Sequence, residues 1–191
     1  MSHPTEPENP GNGANEAAHA HDDGPLYAQP WVRFAVAFAL LISIFEVIYH
    51  AVALESAAFY KLTHTLAQAA GVVLEPFYDR VTVSSARVST NKFVVTVDYG
   101  CDGIQVCTLL MAAVLAFPST VMQKVVGVVG GVLWLQAWNV MRVATLVAVG
   151  GFDRKLFEPT HIYIWPTLLV VICLATWMAW ARWTLSDDEL A

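Results

Sequence analysis

The chain has 191 residues, of which 57% are hydrophobic and only 14% charged, and its formal charge is −6. A soluble domain of this length needs more charge to cover its surface, so the composition excludes one. The acidity is local: residues 1–30 hold five acids (Glu6, Glu8, Glu16, Asp22 and Asp23) and no Lys or Arg, the remainder is close to neutral, and no basic surface suited to nucleic acid is left.

Segment 1–30 is rich in Pro, Gly, Asn, Glu and His, with almost no large apolar residue before Leu26. It cannot bury enough surface to offset its ordering entropy and is expected to be disordered. It lacks the basic start of a signal peptide. His3, His19 and His21 read as solvated residues of this tail. From Trp31 to Tyr49 the chain is apolar apart from Arg33 and Glu46, which predicts a first membrane helix. Residues 56–77 place Leu62, Leu66, Ala69, Ala70, Val73, Leu74 and Phe77 near helical spacing. Lys61, His64, Gln68 and Glu75 make that segment too polar for an easy span, so it predicts an interfacial amphipathic helix. Residues 81–88 and 92–98 are β-branched and alternating, with Ser89-Thr90-Asn91 between them, which predicts a β-hairpin outside the bilayer.

A second membrane helix is expected from Cys101 or Asp102, with Asp102 capping its first turn, to Pro118. A third runs from about Val121 to Val149 and ends at Gly150-Gly151; ordinary packing is the default reading of its Gly127 and Gly131, with dimerisation the alternative. A fourth runs from about Tyr163 to Trp183, and Pro166 fits only in its first turn, so His161 sits at or just before a helix N-terminus. With four spans and both tails on one side, the 50–100 insert, the start of helix two and the 151–161 loop share the opposite face. Cys101 and His161 then meet there, with Arg142 about 12 Å below at 1.5 Å per residue. The expected fold is thus an all-α polytopic membrane protein of about four transmembrane helices, an interfacial amphipathic helix and a small β-hairpin. The Lys/Arg count opposes the positive-inside rule for this arrangement, because Lys61, Arg80, Arg87, Lys92, Arg154 and Lys155 fall on the face with the thiol.

The three conspicuous residues suit acyl transfer. A thiol at a helix start feels the positive end of the dipole, and a nearby cation lowers its pKa further. The alternative for Cys101 is a small buried thiol, and Cys107 and Cys173, deep in apolar helix, read as packing residues. All three cysteines lie in apolar segments, which suggests neither a disulfide framework nor a zinc site. A guanidinium inside a membrane helix is costly and marks a functional site; the alternative for Arg142 is an ion pair, for instance with Glu46. Asn139, three residues earlier on the same face, is placed to orient it. Thiol, imidazole and guanidinium supply nucleophile, acid/base and oxyanion stabiliser.

Five stretches carry a resemblance. They are Gly100-Cys101-Asp102-Gly103-Ile104, Leu115-Ala116-Phe117-Pro118, Gln136-Ala137-Trp138-Asn139-Val140-Met141-Arg142, Phe152-Asp153-Arg154-Lys155-Leu156-Phe157-Glu158 and His161-Ile162-Tyr163-Ile164-Trp165. Together they resemble the exosortase/archaeosortase family over roughly residues 31–185, and most closely its short H-type exosortases. The resemblance implies a multi-pass transpeptidase acting on exported proteins whose C-terminal signal has a short motif, a membrane helix and a basic tail. The implied motif is Ile-Pro-Thr-Leu-x-x-Trp-Gly. It implies Cys101 as nucleophile, Arg142 as the family arginine and His161 as third member, with Asn139, Asp102 and Gly103 in support. Asp102 stands where the family often has Ser or Asn, and a carboxylate there opposes thiolate formation unless capping or Arg142 offsets it. No metal or organic cofactor is implied. The partners are the sorted proteins, membrane lipid and an acceptor nucleophile, with no nucleic acid.

The resemblance also supplies an orientation in a cell inner membrane. Residues 1–30 and 186–191 become cytoplasmic tails, and the 50–100 insert and the active site become extracytoplasmic. Two other functions remain open on the residues alone: a plain intramembrane cysteine protease with water as acceptor, and a non-enzymatic membrane anchor or cofactor-binding subunit using His50, His64 and His161.

Overall fold

The computed structural model describes residues 29–53 and 56–188. Of the expected tails, 1–30 and 186–191, residues 1–28 and 189–191 lie outside them. Six α-helices and three strands follow in order: α1 Pro30–Ile48, α2 Ala57–Leu74, β1 Val81–Ser84, β2 Arg87–Thr90, β3 Val94–Thr96, α3 Ile104–Ala116, α4 Val121–Phe152, α5 Arg154–Pro159 and α6 Trp165–Asp188. Two π turns interrupt the helical runs, Tyr49–Ala53 after α1 and Thr160–Ile164 between α5 and α6.

Local chemistry sets most of these boundaries. Pro30 opens α1, where a missing N–H leaves nothing unsatisfied. Ser56 caps α2 by accepting the Phe59 N–H at 3.1 Å, a contact worth about 1 kcal/mol. Thr120 and Gln123 form a reciprocal capping box at the start of α4. Asp153 caps α5 through the Lys155 N–H at 2.8 Å.

Among the described residues, three helical stretches are long and apolar enough to cross a membrane: Pro30–Ala51, Val121–Phe152 and Arg154–Ser186. The chain is therefore a mostly helical membrane protein. The second of the four expected spans, α3, is apolar but has only 13 residues. It is about 20 Å long against a bilayer core of about 30 Å. It lies at the centre of the bundle, packed against α1, α4 and α6. Leu110, Leu135, Leu146, Val114, Val143 and Val147 fill the interior between these helices. Cys107 and Cys173 are buried there too, as packing residues should be.

Four boundaries differ from the sequence reading. The expected hairpin is a three-stranded antiparallel sheet, β1-β2-β3, with Val83 opposite Val88 and Val88 opposite Val95. The first alternating run folds on itself at Ser85, whose φ of 53° is the left-handed value of a tight turn. α3 begins at Ile104 rather than at Cys101 or Asp102. α4 continues through Gly150-Gly151 to Phe152, because Gly150 serves as a seat for the Phe93 ring and not as a helix stop. The last helix extends to Asp188, into the expected tail.

Gly127 and Gly131 have a similar use: Trp180 of α6 lies against the first and Leu110 of α3 against the second. The small-residue pair thus packs helices within the chain. The apolar face of α2 (Leu66, Ala67, Ala70 and Leu74) joins the same core as Val88 and Val95 of the sheet, and Gly71 lets Val83 approach closely. Sheet and α2 together cap one end of the bundle. The chain crosses from that cap into α3 through residues 97–103.

Candidate active site

The site is built on that crossing. The Cys101 N–H donates to the Asp98 carbonyl at 2.8 Å, closing a turn between β3 and α3. Gly100 and Gly103 hold φ values of 80° and 74°, which a side chain would strain. Gly103 also has no room, since an added Cβ would lie 2.8 Å from Asn139 Cγ. The thiol therefore precedes the helix by three residues instead of sitting on its first turn. Asp102, fully buried, accepts the Ile104 N–H at 2.6 Å and the Tyr49 hydroxyl at 2.5 Å. Its carboxylate is thus occupied by the start of α3 and by the π turn that follows α1.

One stripe of α4 grips the backbone of this turn. Gln136, Asn139 and Arg142, spaced by three, donate to the carbonyls of Asp102 (3.1 Å), Cys101 (3.0 Å) and Gly100 (2.9 Å) in reverse order. Side chains three apart share a helix face, and three successive carbonyls of the turn run antiparallel to it. Arg142 is 4% exposed, and its Nε has no partner among the described residues. Among the described residues no carboxylate lies within 4 Å of it. Glu46, the expected ion-pair candidate, faces His50 instead at 3.5 Å.

His161 arrives from the second π turn. Its Nε2 lies 2.9 Å from Cys101 Sγ, across 60 residues of sequence, and its ring stacks on Phe157 at 5.5 Å. The turn is bounded by Pro159 and, in the first turn of α6, by Pro166. The Trp165 N–H reaches back five residues to the Thr160 carbonyl. Cys101 is 5% exposed. Burial pushes its pKa up; the Arg142 guanidinium pulls it down by less, and the Asp102 and Asp98 carboxylates add to the rise.

The structure therefore brings together all six residues singled out in the sequence: Cys101, Arg142, His161, Asn139, Asp102 and Gly103. No family model, curated protein or solved structure matches the chain. The site rests on its own geometry. Sequence reasoning missed Gln136, Tyr49 and Phe157. Gln136 was visible as the polar member three residues before Asn139 in an apolar helix. Tyr49 and Phe157 gave no signal, because aromatic residues near helix ends are ordinary.

Among the described residues, the other two histidines are engaged elsewhere. His64 Nδ1 lies 2.6 Å from the Ser85 carbonyl, and His50 lies beside Tyr99, 3.4 Å from its hydroxyl. Next to the thiol-bearing turn, a cavity of about 360 Å³ opens between α1, α3 and α6. Ile42, Leu109, Leu169 and Val170 form aliphatic walls, and Arg142, Glu46 and Asp102 are its ionisable members.

Proposed function

We propose that this chain is a membrane cysteine transpeptidase that cleaves a C-terminal sorting signal from exported proteins through a thioester. The observation that carries the reading is the 2.9 Å contact between Cys101 Sγ and His161 Nε2 beside a buried, unpaired arginine. Nucleophile and base within hydrogen-bond reach is the arrangement that covalent acyl transfer requires.

His161 Nε2 takes the thiol proton as Sγ bonds to the scissile carbonyl carbon. The carbonyl electrons move to oxygen, and the Arg142 guanidinium stabilises that oxyanion. Collapse of the adduct breaks the C–N bond, and His161 returns its proton to the leaving amine. The thioester lasts until an acceptor amine attacks it; His161 takes the amine's proton as the new amide forms, and the C–S bond breaks to return that proton to Sγ. Asn139 and Gln136 hold the turn, so the thiol meets His161 at a fixed height. Water as acceptor turns the same steps into simple proteolysis.

Further parts of the reading follow the exosortase-like motifs. α3 counts as a fourth span sheltered by the other helices, α2 lies along the interface with its cap of strands, and the active site faces outward from a cell inner membrane. The test uses a tagged reporter that ends in Ile-Pro-Thr-Leu-x-x-Trp-Gly, a membrane helix and a basic tail. Cells expressing wild-type chain should shorten it, Cys101→Ala should leave it intact, and Cys107→Ala and Cys173→Ala should keep most activity. Normal processing by Cys101→Ala overturns the mechanism.

A further inference from the structure

The cavity between α1, α3 and α6 contains a buried donor with nothing to receive it. Arg142 lines this space, is 4% exposed, and spends Nη1 on the Gly100 carbonyl while its Nε–H has no partner among the described residues. A buried N–H left unpaired costs about 1–3 kcal/mol, so the site is complete only when an acceptor arrives. The aliphatic walls come from three helices: Ile42 from α1, Leu109 from α3, and Leu169 and Val170 from α6. Gly100, Asp102 and Gly103 form the side nearest the thiol, so whatever fills the cavity runs beside the residues flanking Cys101.

The exposed Gln105 lines the cavity at the start of α3, and on its aliphatic side Ile42, half-buried, and Val170, 44% exposed, reach the surface. Ile42 and Val170 belong to helices long and apolar enough to span the membrane, so the mouth on this side faces lipid. Two occupants are available on that side, a lipid acyl chain and a peptide segment. A peptide carries carbonyls all along its length, between aliphatic side chains, and can offer one to the unpartnered N–H within the cavity; the hydrocarbon part of a lipid acyl chain has no acceptor. At about 360 Å³ the space is at the small end for ligand sites, too small for a helix and suited to a short extended strand of backbone with aliphatic side chains.

We propose that this cavity is a substrate subsite, which takes a short extended segment with aliphatic side chains from a membrane-inserted peptide, laterally between α1 and α6. The inference rests on the peptide-cleaving reading above and adds where the substrate binds and what side chains it carries there. The bound segment directs one carbonyl to Arg142, and its neighbouring peptide bond lies towards the turn that bears Cys101. The Cys101–His161 pair is closed in the resting chain, and occupation of the cavity is what sets a carbonyl beside it.

Plugging the mouth tests this without touching Cys101, Arg142 or His161. Ile42→Trp and Val170→Trp should each raise KM for the reporter about tenfold or more and leave kcat within about threefold, the pattern of lost substrate binding. Leu133→Trp, at a 67% exposed position on α4 away from the cavity, should change neither. A photoreactive benzophenone side chain at position 42 of a Cys101→Ala chain should crosslink to the reporter, and this readout needs no turnover. Unchanged KM in both mouth variants, or crosslinks to lipid alone, overturns the subsite while leaving the peptidase reading intact. A wild-type chain that cuts no reporter overturns both.

Discussion

Arg142 is the residue where charge shape matters most. Its fork reaches the Gly100 carbonyl with Nη1 while Nε points elsewhere, a division that a single ammonium cannot copy. Arg142→Lys should fold to a normal level and lose most turnover, by about a hundredfold on the scale of one lost oxyanion donor. Protein level and reporter cleavage measured together separate this from a purely structural arginine, which lysine would replace with activity retained. The same residue sets the thiol's titration. Burial raises the Cys101 pKa and Arg142 opposes the rise, so iodoacetamide labelling should climb with pH to a midpoint above the ordinary thiol value of about 8.5. Removing the cation in Arg142→Gln should push that midpoint further up, whereas Asp102→Asn, which removes an anion, should bring it down. Cys101, Arg142 and His161 were legible in the sequence because polar chemistry stands out in apolar helix. Gln136 was weaker, since its role appears only when the carbonyls of residues 100–102 are in place.

At the scale of elements, glycine decides how closely the site is packed. Gly103 combines a left-handed φ of 74° with a Cβ direction that runs into Asn139. Gly103→Ala should therefore displace the thiol-bearing turn, costing about 1–2 kcal/mol from backbone strain alone. Gly100→Ala, equally left-handed but with open space around its Cβ, should show the strain without the collision. Comparing thermal stability and cleavage in the two variants isolates the Asn139 contact; equal losses would mean that the contact is unimportant. The strands and α2 were legible from alternation and helical spacing. The third strand was not, because Ser85 looks no different from a mid-strand serine until its φ is known. The end of α4 was missed for a related reason. A Gly-Gly pair reads as a helix stop, but here Gly150 is small so that Phe93 can lie against it, and the helix runs on.

Across the whole molecule, three helices long enough to cross a membrane and one short central helix leave orientation as the property on which the mechanism depends. Single cysteines at Asn12, Asn91, Ser119, Asp153 and Ser186 in a cysteine-free chain, probed with an impermeant maleimide on intact cells, should label at positions 91 and 153 only. Label at 12 as well would mean that α2 crosses the bilayer, and label at 119 and 186 alone would put the thiol in the cytoplasm. Sequence could not settle this, since Lys61, Arg80, Arg87, Lys92, Arg154 and Lys155 argue against the orientation that the motifs favour. The two π turns carry a different kind of information. Each closes its hydrogen bond over five residues where a regular α-helix uses four, so each stores one surplus residue. At the second turn, which runs straight into α6, that surplus separates the angular phase of the helix before it from the phase of the helix after it. His161 can thus face Cys101 without α6 having to turn its membrane surface to match. A chain shorter by one residue at the second turn would keep its helices and their apolar faces, and would lose the alignment of His161 with Cys101.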